Sequence, residues 1–159
     1  MQQLFIMRHG EALFDAPDPQ RSLSERGHRQ AAETSQWLAE KMAGRNVRLL
    51  ASPFTRAQQT AHYVAQALNV PIESQPWLTP DTPVAAVMAG WDALWMTADD
   101  AQCWVWVSHM PLVGYLGRYL IEGKGVGSDA FATAEVVQYE ADVWAAGCAY
   151  ARSRYRPQS

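Results

Sequence analysis

The chain has 159 residues, 48% of them apolar and only 18% charged, with a net charge of −3. That is about one domain's worth, apolar enough to bury a core rather than stay disordered, and too acidic to offer the basic face that attracts nucleic acid or an anionic membrane. The two isolated cysteines, Cys103 and Cys148, make no disulfide framework, the four histidines are too scattered for a zinc site, and no apolar run reaches the ~18 residues of a membrane span.

From the N-terminus, "QQLFIM" ends in a short continuous apolar run, the form of a strand covered on both faces. The start lacks a charged segment leading into a long apolar one, so no signal peptide is read and a cytoplasmic protein is expected. After the Pro/Asp-rich "DAPDPQR", Ser24 is placed to cap a helix carrying Ala31, Ser35, Leu38 and Met42 on one face, with Gly44 as its stop. "VRLLAS" is a second strand. Ser52 and Pro53 occupy N-cap and first helical positions for a helix with Ala57, Ala61, Val64, Ala65 and Leu68 in period. "PIESQ" reads as a short strand, and Trp91 and Trp95 suggest a helix over about 84–96. "CWVWVS" is a further strand, after which "HMP" opens a helix with Leu112, Leu116 and Tyr119 on one side. The glycine-rich "EGKGVGS" leads to two last strands, "AEVVQYE" and "CAYARSRY".

Strands alternating with helices predict one three-layer α/β/α sandwich over 1–159, its central sheet mostly parallel with an antiparallel edge. Ligands of such sheets bind beyond the carboxyl ends of the strands. Three of those ends carry polar residues: Arg8-His9-Gly10, Ser52-Pro53 with Arg56 one turn on, and Ser108-His109. Two arginines and two histidines would gather there. Such a cluster is self-repulsive unless a dianion sits at its centre, and arginine forks suit phosphate oxygens. Helix N-termini would add amide donors, and Gly10 would allow a tight turn beside the ligand. Neighbouring cations keep a histidine neutral and nucleophilic. His9 is read as the nucleophile and His109 as the donor that stabilises the transferring group.

"RHGE", "SPFTRAQQT" and "SHMP", in that order, resemble the histidine phosphatase superfamily, the phosphoglycerate-mutase-like group. The resemblance implies a phosphohistidine formed on His9, with Arg8, Arg56 and His109 around the phosphate and water completing the hydrolysis. It implies no metal and no organic cofactor. Mutases and sugar phosphatases of this group carry a glutamate donor after the third strand, where this chain has Pro80 in "PWLTPDTP"; the acid phosphatases carry an aspartate after the second histidine, here Met110. Asp18 and Asp81 are the remaining carboxyls that could donate. A general acid contributes roughly 10²–10⁴-fold when the leaving group is poor. A phosphorylated imidazole has no such need, since its ring leaves neutral once the distal nitrogen is protonated.

The run from Arg21 to Gly27 is similar to the "RPLTxxG" of small protein phosphohistidine phosphatases of the SixA type, although Ser22 replaces its proline. Arg21 is then a further phosphate contact or a solvated loop arginine. The expected partner is a phosphohistidine-bearing protein, such as a histidine-containing phosphotransfer domain of a two-component relay or a phosphocarrier, met by a monomer. A small-molecule phosphomonoesterase or mutase is the alternative within enzymes, and a phosphohistidine-binding module without catalysis the alternative outside them. His28 and His62 are expected to face solvent from helices, Trp104 and Trp106 to pack on the sheet's faces, and Glu11 to support the arginines or lie in solvent. "GKGVGS" lacks the GxxxxGK[ST] order of a phosphate loop.

Overall fold

The computed structural model describes residues 2–96, 103–123 and 127–159. Strand β1 (Gln2–Arg8) and strand β4 (Cys103–Ser108) are buried along their apolar runs, as continuous apolar strands should be when helices cover both faces. Alternation divides their side chains. Leu4, Ile6, Trp104 and Trp106 point to one face, and Phe5, Met7, Cys103, Val105 and Val107 to the other. Helices α1 (Glu25–Lys41) and α2 (Thr55–Leu68) cover the Phe5 face through Leu38, Met42, Ala57, Ala61 and Val64. Helices α3 (Val84–Trp95) and α4 (Leu112–Glu122) cover the Leu4 face through Val87, Trp91, Leu112, Val113, Leu116 and Leu120. Each large side chain so buried stabilises the fold by roughly 1.5–3 kcal/mol.

The sheet is completed by β2 (Val47–Ala51), β3 (Ile72–Ser74), β5 (Val136–Ala141) and β6 (Tyr150–Tyr155), in the order β3-β2-β4-β1-β5-β6. β3, β2, β4 and β1 run parallel, while β5 pairs antiparallel to β1 and β6 antiparallel to β5. The three layers and the antiparallel edge agree with the pattern read from the sequence. Residues 124–126 of the glycine-rich connector lie outside the described residues. Trp104 and Trp106 share one face instead of dividing between two, because they are two apart on one strand. There Trp91 lies 4.7 Å from Trp106 and 5.2 Å from Trp144, centroid to centroid.

Ser24 caps α1 as expected, its hydroxyl accepting from the Gly27 N–H at 3.0 Å. The start of α2 differs. Its first residue is Thr55 and its N-cap Phe54, so Ser52 and Pro53 stand outside the helix. The Ser52 hydroxyl accepts the Phe54 N–H at 3.2 Å, which turns the chain before the helix instead of capping it.

Register fixes the edge where β1, β2 and β4 end. Arg8 pairs with Ser108, and Ala51 with Val107. The ladder runs one step further, with the His9 N–H on Ser108 O and the Ser52 N–H on Val107 O, both at 3.0 Å. His9, Ser52 and His109 therefore leave the sheet side by side.

Candidate active site

His9 leaves β1 between two anchored backbone groups: its carbonyl accepts from Ala134, and the next amide, Gly10 N–H, donates to Thr60 Oγ1 at 3.1 Å. A glycine is required at position 10 for packing. A Cβ there would lie 2.6 Å from Gly27 O, and one on Gly27 would lie 2.0 Å from Glu11 O. The loop after β1 and the first turn of α1 thus meet backbone on backbone. This close approach to α1, rather than a turn beside ligand, is what the structure asks of Gly10.

The His9 ring is 6% exposed, and its Nδ1 lies 2.7 Å from Gly10 O. A carbonyl only accepts, so Nδ1 carries the proton and Nε2 keeps a lone pair. Arg56 Nε donates to that Nε2 at 3.3 Å. Burial pushes the His9 pKa down to about 3; the bond to Gly10 opposes this, and the charges of Arg56, Arg8 and Arg21 add to it. His9 is a neutral base at physiological pH.

His109, fully buried, stands 5.0 Å from His9 between ring centroids and makes an edge contact with Phe54 at 5.1 Å. Its Nε2 lies 2.8 Å from Ser52 Oγ, whereas its buried Nδ1 has no hydrogen-bond partner. Burial first, then His9 and the three arginines, lowers its pKa to about 2. Arg56 is 4% exposed. Its Nη1 donates to Asp18 O at 2.6 Å, and its Nη2 lies 3.3 Å from the Asp18 carboxylate. Arg8 donates from Nη1 to Phe131 O at 2.7 Å, while its buried Nε is unpartnered. Burial lowers both guanidinium pKa values, helped by the Arg56 charge for Arg8 and by the Arg21 charge for Arg56, which Asp18 partly offsets.

The structure thus brings His9, Arg56, His109 and Arg8 to one edge. Arg21 lies at the rim, bonded from Nε to Leu13 O at 2.7 Å and from Nη1 to Asp18 Oδ1 at 3.1 Å. Its charge still reaches both histidines. Asp18 is held below the usual carboxylate range: desolvation is the largest single influence and raises its pKa, but the bonds to Arg21 and Arg56 and their charges together outweigh it. It is ionised at neutral pH and has no proton to donate. Asp81 is an exposed residue in the turn before α3. Glu11 turns away from the arginines, accepting from Ser24 Oγ at 2.8 Å with Arg26 at 3.8 Å. His28 is half-buried and joins α1 to α2 through Tyr63 Oη at 2.9 Å, whereas His62 is exposed.

Thr60 has no role in the sequence reading, and Ser52 has a different one from that which the structure gives it. Thr60, four residues after Arg56, donates to Arg56 O at 2.8 Å and holds Gly10, locking α2 to the β1 exit. Its helical spacing from Arg56 was the available signal. Ser52, read as a cap, instead contacts His109. Among the described residues, no three His, Cys, Asp or Glu side chains gather as a metal-binding set.

A family model described as the histidine phosphatase superfamily (branch 1) matches residues 4–79. The phosphohistidine phosphatase SixA of Escherichia coli is 40% identical over 128 residues, covering 77% of this chain and 76% of that protein. The SixA homolog of Haemophilus influenzae is 37% identical over 121 residues, covering 70% and 72%. The solved structure of the protein histidine phosphatase SixA complexed with tungstate superimposes with a TM-score of 0.83 and 34% identity, over 98% of this chain and 97% of that one.

Proposed function

Because the chain belongs to branch 1 of the histidine phosphatase superfamily, we propose that it removes phosphate from a phosphohistidine on another protein through a phosphorylated His9. The observation that carries this reading is the His9 ring: its tautomer is set by Gly10 O, its Nε2 lone pair faces the Arg56 guanidinium, and its charged form is suppressed. The likeness to proteins named phosphohistidine phosphatases supports the substrate class.

In the proposed reaction His9 Nε2 attacks phosphorus as the substrate's N–P bond breaks, and the substrate ring takes the bonding pair and leaves as neutral imidazole. Arg8 and Arg56 hold the equatorial oxygens, with Arg21 at the rim, and His109 donates from Nδ1 as charge redistributes among them. Water then attacks the phosphoryl group. Phosphate departs, and His9 leaves neutral because Nδ1 kept its proton on Gly10 O. Neither half-reaction needs a carboxylic acid, which accords with the ionised Asp18.

The loop that carries Asp18 and Arg21 also displays Leu13, 43% exposed, and Phe14, 89% exposed. Apolar side chains beside the pocket favour a macromolecular substrate. We assign that partner as a phosphohistidine-bearing protein such as a histidine-containing phosphotransfer domain, met by a cytoplasmic monomer. No helix of the described residues is long and apolar enough to cross a membrane.

The test is to mix the protein with a ³²P-labelled phosphohistidine protein and quench rapidly in base. An alkali-stable, acid-labile label on the chain, lost in His9→Ala together with turnover, is expected. Hydrolysis by His9→Ala at the parent rate would overturn the mechanism, and preference for phosphoglycerate or phosphoserine would overturn the substrate.

A further inference from the structure

We infer that Ser52 is a positioning residue that fixes the tautomer of His109, so that its Nδ1–H is the group offered to the phosphoryl oxygens. The inference rests on the phosphatase reading of the site but reaches a residue to which that reading gives no task. It follows from counting protons. Ser52 is fully buried, and its hydroxyl has one hydrogen to give. Its oxygen already accepts the Phe54 N–H at 3.2 Å, a contact in which only the amide can donate. The neighbour left for the hydroxyl hydrogen is His109 Nε2 at 2.8 Å. That nitrogen must therefore hold a lone pair, and in a neutral ring the proton then sits on Nδ1.

The opposite tautomer fails twice. With Nε2 protonated, Ser52 Oγ would accept from both His109 and Phe54, leaving its own hydrogen buried without an acceptor. Nδ1, buried in a ring on which the Arg8 and Arg56 charges act, would then hold a lone pair to which nothing donates. With Nδ1 protonated, every hydrogen near Ser52 is satisfied, and the unpartnered atom becomes a donor awaiting an oxygen. The histidines are thus set in opposite senses. His9 presents a lone pair because a backbone carbonyl holds its Nδ1–H, and His109 presents a hydrogen because a serine holds its Nε2. Phe54 fixes the ring's tilt by an edge contact at 5.1 Å, and the Ser52 main chain is itself pinned, its carbonyl accepting from Gln58 Nε2 at 2.8 Å.

Long-range ¹H–¹⁵N spectra of the histidine rings at pH 7 read the tautomer directly and need no substrate. The expected spectrum shows His109 with a protonated Nδ1 and a lone-pair Nε2. Ser52→Ala should mix the tautomers and lower kcat on a phosphohistidine protein about tenfold or more with KM little changed, and Ser52→Thr should restore both. Ser52→Cys, nearly isosteric and a poor donor, serves if the alanine variant does not fold, and should again mix the tautomers. A wild-type His109 protonated on Nε2 overturns the inference, as does a donor-deficient variant with an unmixed spectrum and parent kcat. If the tautomer is as assigned and follows Ser52 while no phosphohistidine protein is turned over, the phosphatase reading fails and the tautomer assignment stands.

Discussion

His9 and His109 bind protons far less readily in the folded chain than in the unfolded one. Burial leads in both cases and the arginines add to it; the bond to Gly10 O opposes it for His9, the His9 ring reinforces it for His109, and the pKa values fall to about 3 and about 2. An unfolded histidine titrates near 6.5. Above that pH neither state is protonated, and the pair adds no pH dependence. As pH falls below it, the unfolded chain takes up protons that the folded chain refuses, so stability drops, by at most ~3 kcal/mol per pH unit for the two rings together. Urea unfolding at pH 7, 6 and 5 should therefore show a declining midpoint, with a shallower decline in His9→Asn/His109→Asn. An equal decline in both proteins would contradict the neutral pair. At this scale Arg8, His9, Arg56 and His109 could be read from the chain because each lies at or just after a strand end or in the first turn of a helix. Asp18 as an ion partner and Ser52 as a histidine partner could not, since both contacts depend on how separate loops meet in space.

Between elements, the Gly10–Gly27 contact holds the exit of β1 against α1. The obstacle on each side is backbone, which cannot rotate away: 2.0 Å to Glu11 O from a Cβ on Gly27, and 2.6 Å to Gly27 O from one on Gly10. Gly27→Ala should cost at least ~2 kcal/mol, more than Gly10→Ala, and should lower kcat because His9 moves with the strand end. Gly44→Ala is the comparison, with no atom within 4 Å of its Cβ but a φ of 78°, so that only the left-handed backbone penalty of ~1–2 kcal/mol applies. Thermal melts of the three would rank them, and a Gly27→Ala no worse than Gly44→Ala would refute the close contact. The strands and helices were legible because apolar runs and helical spacing are local properties. The start of α2 was not. Ser-Pro satisfies the rule for a cap and first turn, yet the serine's hydroxyl is drawn to a histidine 57 residues away, and the helix begins later.

On the scale of the molecule, the parallel strands deliver Arg8, His9 and His109 to one edge, where the start of α2 adds Arg56, and the loop with Phe14 borders it. Phe14 carries the Arg21 guanidinium 4.0 Å above its ring yet leaves most of its surface in solvent. Phe14→Ala should lower kcat/KM for a phosphohistidine protein about 5–30-fold, the range of a moderate interface anchor, and leave turnover of free phosphohistidine within twofold. Equal losses on both would mean that the ring serves Arg21 rather than a partner. The layered arrangement was readable because the apolar runs of β1 and β4 have no polar face to leave uncovered. The same layering distributes the chromophores unequally. Six of the seven tryptophans crowd the face under α3 and α4, with ring pairs such as Trp91–Trp106 at 4.7 Å, while Trp37 stands alone on the other, stacked on Tyr155. Ultraviolet emission and near-ultraviolet dichroism will thus be dominated by one side of the sheet. A variant whose tryptophan spectrum matches the parent has been certified mainly on that side, and for the α1–α2 layer that seats Arg56 and Gly27 the optical witness is Trp37.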